Sequence, residues 1–139
     1  LRPFHKNLVT ELRKNPKIYF FDLGLRNYAI NNFNEIDNRD DSGKLAENFI
    51  FNTFKDDNLL VNFWRTTAKA EVDFVISNLK DIIPIEVKFE KMKKEKITRS
   101  FYSFLNSYKP LRAVIVTRDF WGETKIGKTR VKFVPAVYL

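Results

Sequence analysis

Two periods run through the chain. "LLVNFWRT" (Leu59 to Thr66), "EVDFVIS" (Glu71 to Ser77) and "IIPIEVKF" (Ile82 to Phe89) are rich in Val, Ile, Phe and Trp and are separated by the polar turns "TAKA" and "NLKD", which predicts three consecutive strands. Leu45, Ala46, Phe49, Ile50, Thr53 and Phe54 recur instead at helical spacing, so a helix running to about Phe54 is expected, capped by Ser42. Before it, "KIYFFD" (Lys17 to Asp22) reads as a short buried strand. A helical stretch then runs from Leu23 to about Asn32, and "NNFNEIDNRDDSG" is a polar loop.

After the third strand, Lys91 to Lys96 opens a further helix, whose Ile97, Phe101, Phe104, Leu105 and Tyr108 should face inward. "AVIVT", Ala113 to Thr117, is a continuous apolar run of the kind found in a strand covered on both faces. Strand, helix and strand across Pro84 to Thr117 predict a right-handed parallel crossover. The closing "VKFVPAVYL" reads as an edge strand, because Pro135 has no N–H for a ladder. The expected fold class is therefore α/β, a mixed central sheet flanked by helices. The division is a lead-in segment over residues 1–16, with a short helix around Leu8 to Lys14, and one domain over 17–139.

Composition narrows the chemistry. With 139 residues there is room for one core, and fourteen Phe, five Tyr and two Trp can fill it. No apolar run approaches the roughly 18 residues that a membrane helix needs, so a cytoplasmic protein is expected. Without cysteine and with His5 as the single histidine, thiolate and zinc sites are excluded, and any metal must bind through oxygen. A net charge of +8 suits a polyanionic partner. The chain begins at Leu1 and its one methionine is Met92, so a piece of a longer protein is expected.

Against this background Asp73, Glu86 and Lys88 are conspicuous, because they interrupt the most strand-like stretch. If the turn Asn78 to Asp81 joins its strands symmetrically, Ser77 opposes Ile82, and the same register places Asp73 opposite Glu86. Like charges directly opposed destabilise a sheet, whereas a divalent cation between two carboxylates reverses the sign. Glu47, at the flank of the helical stripe and with no basic residue three or four positions on, is a third acid in want of a partner. Each also has a plainer reading. Lys88 can neutralise Glu86 on a solvated face, and Glu47 can sit at a boundary and reach water.

Glu47, Asp73 and "IEVK", with Glu86 and Lys88, resemble the helix Glu, Asp and (D/E)-x-K motif of the PD-(D/E)XK, or restriction-endonuclease-like, nuclease superfamily. "KIYFFDLGLRN", "GKLAENFIFN", "NFWRT", "AEVDFVI" and "PIEVKF" together resemble the C-terminal domain of undetermined function that follows an AAA+-type P-loop ATPase domain in archaeal and bacterial proteins. Val72 stands where the superfamily motif has proline. The resemblance implies a restriction-endonuclease-like core and a nuclease acting on DNA with Mg²⁺ or Mn²⁺. Asp73, Glu86 and Glu47 would be the metal ligands, Lys88 a catalytic residue, and the upstream ATPase domain a partner in the same polypeptide. The alternatives are a nucleic-acid-binding module without cleavage and a docking domain for the ATPase.

Weaker signals surround this core. Arg65, Lys91, Lys93 and Lys94 are candidates for nucleic-acid contact, although a lysine run is more often a solvated face, and Trp64 beside Arg65 suits the core. "GETKIGKT", Gly122 to Thr129, matches the P-loop pattern by letter, but a strand-like segment follows where a phosphate-binding helix would have to start. A basic hairpin loop is expected there, and no nucleotide site.

Overall fold

A computed structural model describes residues 1–4, 15–54, 59–78 and 81–139. Its centre is a mixed sheet of six strands, β1 (Leu60–Arg65), β2 (Glu71–Ser77), β3 (Ile82–Lys88), β4 (Arg112–Thr117), β5 (Gly122–Ile126) and β6 (Thr129–Pro135), in the order β1-β2-β3-β4-β6-β5. The first three strands are antiparallel, β4 lies parallel to β3 and to β6, and β5 closes the far side antiparallel to β6. Among the described residues three α-helices accompany it: α1 (Leu23–Ala29), α2 (Ser42–Thr53) and α3 (Arg99–Tyr108). The expected α/β class, the three consecutive strands and the parallel crossover through α3 are all present.

The two faces of the sheet bury different clusters. Helix α2 brings Ile50, with Phe54 just beyond its end, onto Phe74, Ile85 and Val116. Helix α3 brings Phe101, Phe104 and Leu105 onto Trp64, Val75, Ile115, Val131 and Phe133 on the other side. Alternation along β3 and β4 produces this division, since neighbouring residues of a strand point to opposite faces. Each fully buried Phe contributes roughly 1.5–3 kcal/mol relative to an exposed one.

Several expectations are corrected. Lys17 to Asp22 forms no strand; it is an extended segment outside the sheet, with Ile18 87% and Phe21 80% exposed. Its backbone is held by a helix side chain: Asn48 accepts from Phe20 N at 2.8 Å and donates to Phe20 O at 2.7 Å, which is how a single amide can imitate a neighbouring strand. Helix α1 ends at Ala29, short of Asn32. Ser42 is the first residue of α2 rather than its cap, and Asp41 at the cap position gives its carboxylate to Arg39 and Arg26 instead. On α2, Phe49 is 46% exposed, and the buried polar position is Asn48.

Residues 91–96 are not helical, having no regular structure beyond a bend at Lys93 and Lys94, and α3 starts at Arg99, because Thr98 is the side chain that caps, accepting from Phe101 N at 3.2 Å. Strand β6 is not an edge strand. It lies between β4 and β5, and Pro135 is tolerated because it is the strand's last residue. The expected short helix at Leu8 to Lys14 lies outside the described residues, as does His5. The first residues are tied to the fold: Phe4 N donates to Phe63 O at 2.5 Å, Phe63 N to Arg2 O at 3.1 Å, and Lys17 N to Leu1 O at 2.9 Å.

Candidate functional site

Four pieces of chain converge at the end of the sheet where β3 finishes: the extended segment before α1, helix α2, strand β2, and the junction between β3 and α3. Glu47 projects from α2 one residue before Asn48, so the amide that holds the extended segment also fixes the distance between the helix and Lys17 and Tyr19. Lys17 Nζ reaches Glu47 Oε1 at 2.8 Å and Asp73 Oδ1 at 3.8 Å, and it also pairs with Glu71. Tyr19 donates its hydroxyl to Glu47 Oε1 at 2.5 Å, and its ring stacks on Phe51. The helix therefore aims Glu47 at the sheet, as its place beside the apolar stripe predicts. Its partner is a lysine 30 residues earlier in the chain.

The predicted register of β2 and β3 is found in four pairs, from Ser77 with Ile82 to Phe74 with Ile85. Continued by one residue it would set Asp73 against Glu86, but the ladder changes there. Between Asn62 and Trp64 on β1 the partners on β2 go from Val75 to Val72, so β2 carries one extra residue, a bulge at Asp73 and Phe74. Val72 and Val75 accordingly pack in the same cluster on the α3 side. Asp73 is turned to the α2 side, toward Lys17, and its Oδ2 accepts from Val87 N at 2.8 Å, where a backbone carbonyl would otherwise continue the ladder. Glu86 stays on the α3 side, 5% exposed, with its two oxygens 3.0 and 2.9 Å from Thr98 Oγ1 and one of them 2.9 Å from Lys88 Nζ. The direct apposition of Asp73 and Glu86 expected from alternation is thus corrected: both belong to one site, but the bulge angles them apart.

All four residues singled out in the sequence, Glu47, Asp73, Glu86 and Lys88, line one open cleft of ≈ 400 Å³, with Asp40, Lys44, Glu71 and Thr98. Five carboxylates against two lysines on its walls make it negative, although the chain as a whole is basic. The charge is felt most at Asp73. Burial, then the neighbouring Glu47, and more weakly Glu86, push its carboxyl up to about 7, against the contrary pull of Val87 N–H and Lys17. Lys17 shows the reciprocal effect: burial would lower its pKa, but Glu47, Glu71 and Asp73 raise it, so it stays charged. Burial and Glu47 push the Tyr19 phenol well above its ordinary value, which keeps it a proton donor. Glu71, despite burial, is held below the usual carboxylate range by Arg65 and Lys17.

Sequence reading missed Lys17, Tyr19, Glu71 and Thr98. Tyr19 and Lys17 alternate with the exposed Ile18 and Phe20, and Thr98 opens the [ST]-x-x pattern of a helix start; these were the available signals. Of the candidate nucleic-acid contacts, Arg65 pairs with Glu71 and lies over the Phe63 ring at 5.2 Å, while Lys91, Lys93 and Lys94 are exposed on the bends after β3 and do not line the cleft. Among the described residues, no three acidic or histidine side chains stand close enough, as placed, to hold one metal ion. The donors are nevertheless all hard carboxylate oxygens, the type that magnesium and manganese take, and the carboxylates on the cleft walls outnumber the lysines. No described helix is long and apolar enough to cross a membrane.

The family model described as Domain of unknown function (DUF4143) matches residues 42–138. That span starts with α2 and contains Glu47, Asp73, Glu86 and Lys88, but not Lys17 or Tyr19. The sequence has no match among curated proteins.

Proposed function

Since the chain belongs to the DUF4143 family of domains of unknown function, whose members typically follow AAA ATPase domains, we propose that the cleft is a metal-dependent nuclease site in the C-terminal part of such an ATPase. The observation that carries this reading is geometric: Glu47, Glu71 and Asp73 share the one Lys17 ammonium, and with Glu86 they line one cleft in which carboxylates outnumber cations. Burial first, and then Glu47, push the Asp73 carboxyl up, a cost that a dication in the cleft would relieve. Glu47, Asp73 and Glu86 would hold Mg²⁺ or Mn²⁺ only by drawing closer together than they stand here, with the Lys17 ammonium giving way. The chemistry supplied by such an ion is polarisation of a phosphate oxygen and acidification of a water.

The chain's own residues have distinct tasks in this reading. The Thr98 hydroxyl lies between the two Glu86 oxygens and can donate to either, and Lys88 pairs with one of them, which orients the carboxylate. Lys88, half-buried beside it, can donate to a phosphate oxygen and offset charge developing at phosphorus. Tyr19, locked in the protonated form, keeps Glu47 facing the cleft. The substrate class is the DNA phosphodiester, and no nucleotide site is assigned to this chain: "GETKIGKT" folds as β5, a turn and the start of β6, so that a strand and not a helix runs on directly from it.

The test is calorimetric titration of the full chain with Mg²⁺ and with Mn²⁺, followed by incubation with supercoiled plasmid. Expected are a saturable heat lost in Asp73→Ala and nicking lost in both Asp73→Ala and Lys88→Ala. A protein that neither binds the metals nor nicks sinks the proposal. A second reading, a docking domain for the ATPase, is favoured by a separate observation. Ile18, Phe21 and Tyr28, at 87%, 80% and 74% exposure, are large apolar side chains turned to solvent on the segment leading into α1 and on α1 itself.

A further inference from the structure

Helix α2 covers β2, β3 and the upper part of β4, and leaves the same face of β6 and β5 bare. The register there is unusual. Arg112 on β4 lies directly beside Arg130 on β6, and Arg130 directly beside Lys125 on β5, so three cations form one row across three adjacent strands. Opposed side chains have Cβ atoms about 4.5–5.5 Å apart, a spacing at which like charges destabilise a sheet. Two carboxylates offset part of this: Asp81 meets Arg112 at 2.7 Å and Glu123 meets Arg130 at 3.3 Å. Among the described residues, Lys125, Lys128 and Lys132 are in no ion pair. Together these five cations and Glu123 line a groove of ≈ 570 Å³.

The P-loop look-alike finds its place here. Gly127, at φ 56°, turns the chain between β5 and β6, a conformation that side chains disfavour, and the hairpin delivers Lys125 and Lys128 to the groove. A lone phosphate would satisfy one or two of these cations. A polymer with regularly spaced charges satisfies the row, whose members are about 4.8 Å apart by strand spacing. None of the residues lining the groove is aromatic, so bases have nothing to stack on, and contact would be with the backbone alone. The row lies five residues upstream of the Thr117 level, where Lys88 stands beside β4, or about 16 Å along the strands.

We propose that this groove binds the sugar–phosphate backbone of nucleic acid, without base readout, and holds the polymer at a distance from the acidic cleft. The proposal rests on nucleic acid being the substrate class given above.

The experiment is fluorescence anisotropy of the full chain with a labelled duplex, in EDTA, across a salt series. The triple variant Lys125→Gln/Lys128→Gln/Lys132→Gln is compared with wild type after circular dichroism has shown equal melting. Neutralising each phosphate contributes a slope of about −0.9 in log K against log salt. The triple variant should therefore flatten the slope by about 2–3 and weaken binding at least tenfold at moderate salt. Equal slopes and affinities in the two proteins overturn the proposal. So does a wild type that ignores the duplex while binding poly-glutamate, since the occupant would then be an acidic protein. The plasmid-nicking assay with Mg²⁺ and with Mn²⁺, run beside it on wild type and the triple variant, separates the two readings. Binding that needs the lysines in a protein that never cuts DNA upholds the groove and sinks the nuclease, whereas cutting without lysine-dependent binding does the reverse.

Discussion

Replacing Asp73 by Asn tests the electrostatic core of the site without any assumption about metal. The carboxyl has an ordinary value of 3.8 and is pushed up to about 7 in the folded protein, first by burial and then by Glu47. Below pH 4 it is protonated in both the folded and unfolded chain and costs nothing. Between 4 and 7 the unfolded chain ionises while the folded chain keeps its proton, so the folded state binds more protons and stability must fall as pH rises. At about 1.4 kcal/mol per unit, the full loss is about 4 kcal/mol. That figure is a ceiling, because 20% of the side chain is open to water. Asparagine keeps the shape and cannot ionise. The variant should be close to wild type at pH 4 and gain on it by 2 to about 4 kcal/mol by pH 8. Urea unfolding in EDTA across that range gives the difference directly, and the titration of distant groups cancels in it. A difference that stays constant to within about 1 kcal/mol would refute the placement of Asp73 against Glu47.

Three further outcomes follow from the same contacts. Lys17→Met removes the ammonium shared by Glu47, Glu71 and Asp73; breaking a largely buried pair in this way should cost about 3 kcal/mol at pH 8, and less at pH 5, where a proton on Asp73 takes over its role, so a cost independent of pH counts against the arrangement. Asn48→Ala leaves the N–H and C=O of Phe20 to water and should cost about 2 kcal/mol, with faster amide exchange confined to residues 17–22; unchanged exchange there would contradict the amide's role as a stand-in strand. Thr98→Val removes both the α3 cap and the donor to Glu86, lowering the melting temperature by about 2–4 °C per kcal/mol lost, while Thr98→Ser should restore it; failure of the serine to rescue would mean that the methyl, not the hydroxyl, is what matters.

What could be read from the sequence was what local rules decide. The period-2 run of β3, with Ile85, Val87 and Phe89 on one face, and the three-and-four spacing of Phe101, Phe104 and Leu105 each name their own inward face, and the structure packs those faces into the core. The register of β2 with β3 followed from one short turn. The failures lie where a longer-range partner overrides the local pattern. "KIYFFD" has strand composition but no neighbouring strand to pair with, and Asn48 of a helix takes the partner's place. The bulge at Asp73 depends on how β2 meets β1, on the side opposite to the turn that set the register with β3. Pro135 suggested an edge, yet it sits at the end of an interior strand, where the missing N–H leaves no gap.

The charge pattern follows the same logic and ties the two ends of the sheet together. An excess of +8 over the chain says nothing about where the charge lies, and here it is segregated: carboxylates gather where β3 ends, cations where β4 begins. A phosphate backbone approaching the cleft directly would meet five carboxylates, those of Asp40, Glu47, Glu71, Asp73 and Glu86, with only Lys17, Lys44 and Lys88 in opposition, and would be repelled. At the groove it meets five cations and one carboxylate. Under the proposed nucleic-acid function, attraction at the basic end would have to supply the binding energy, and the acidic end would accept a phosphate only after a further positive charge had entered it. Separating the two by about 16 Å, more than the roughly 8 Å screening length of physiological salt, lets both persist in one small domain without cancelling each other.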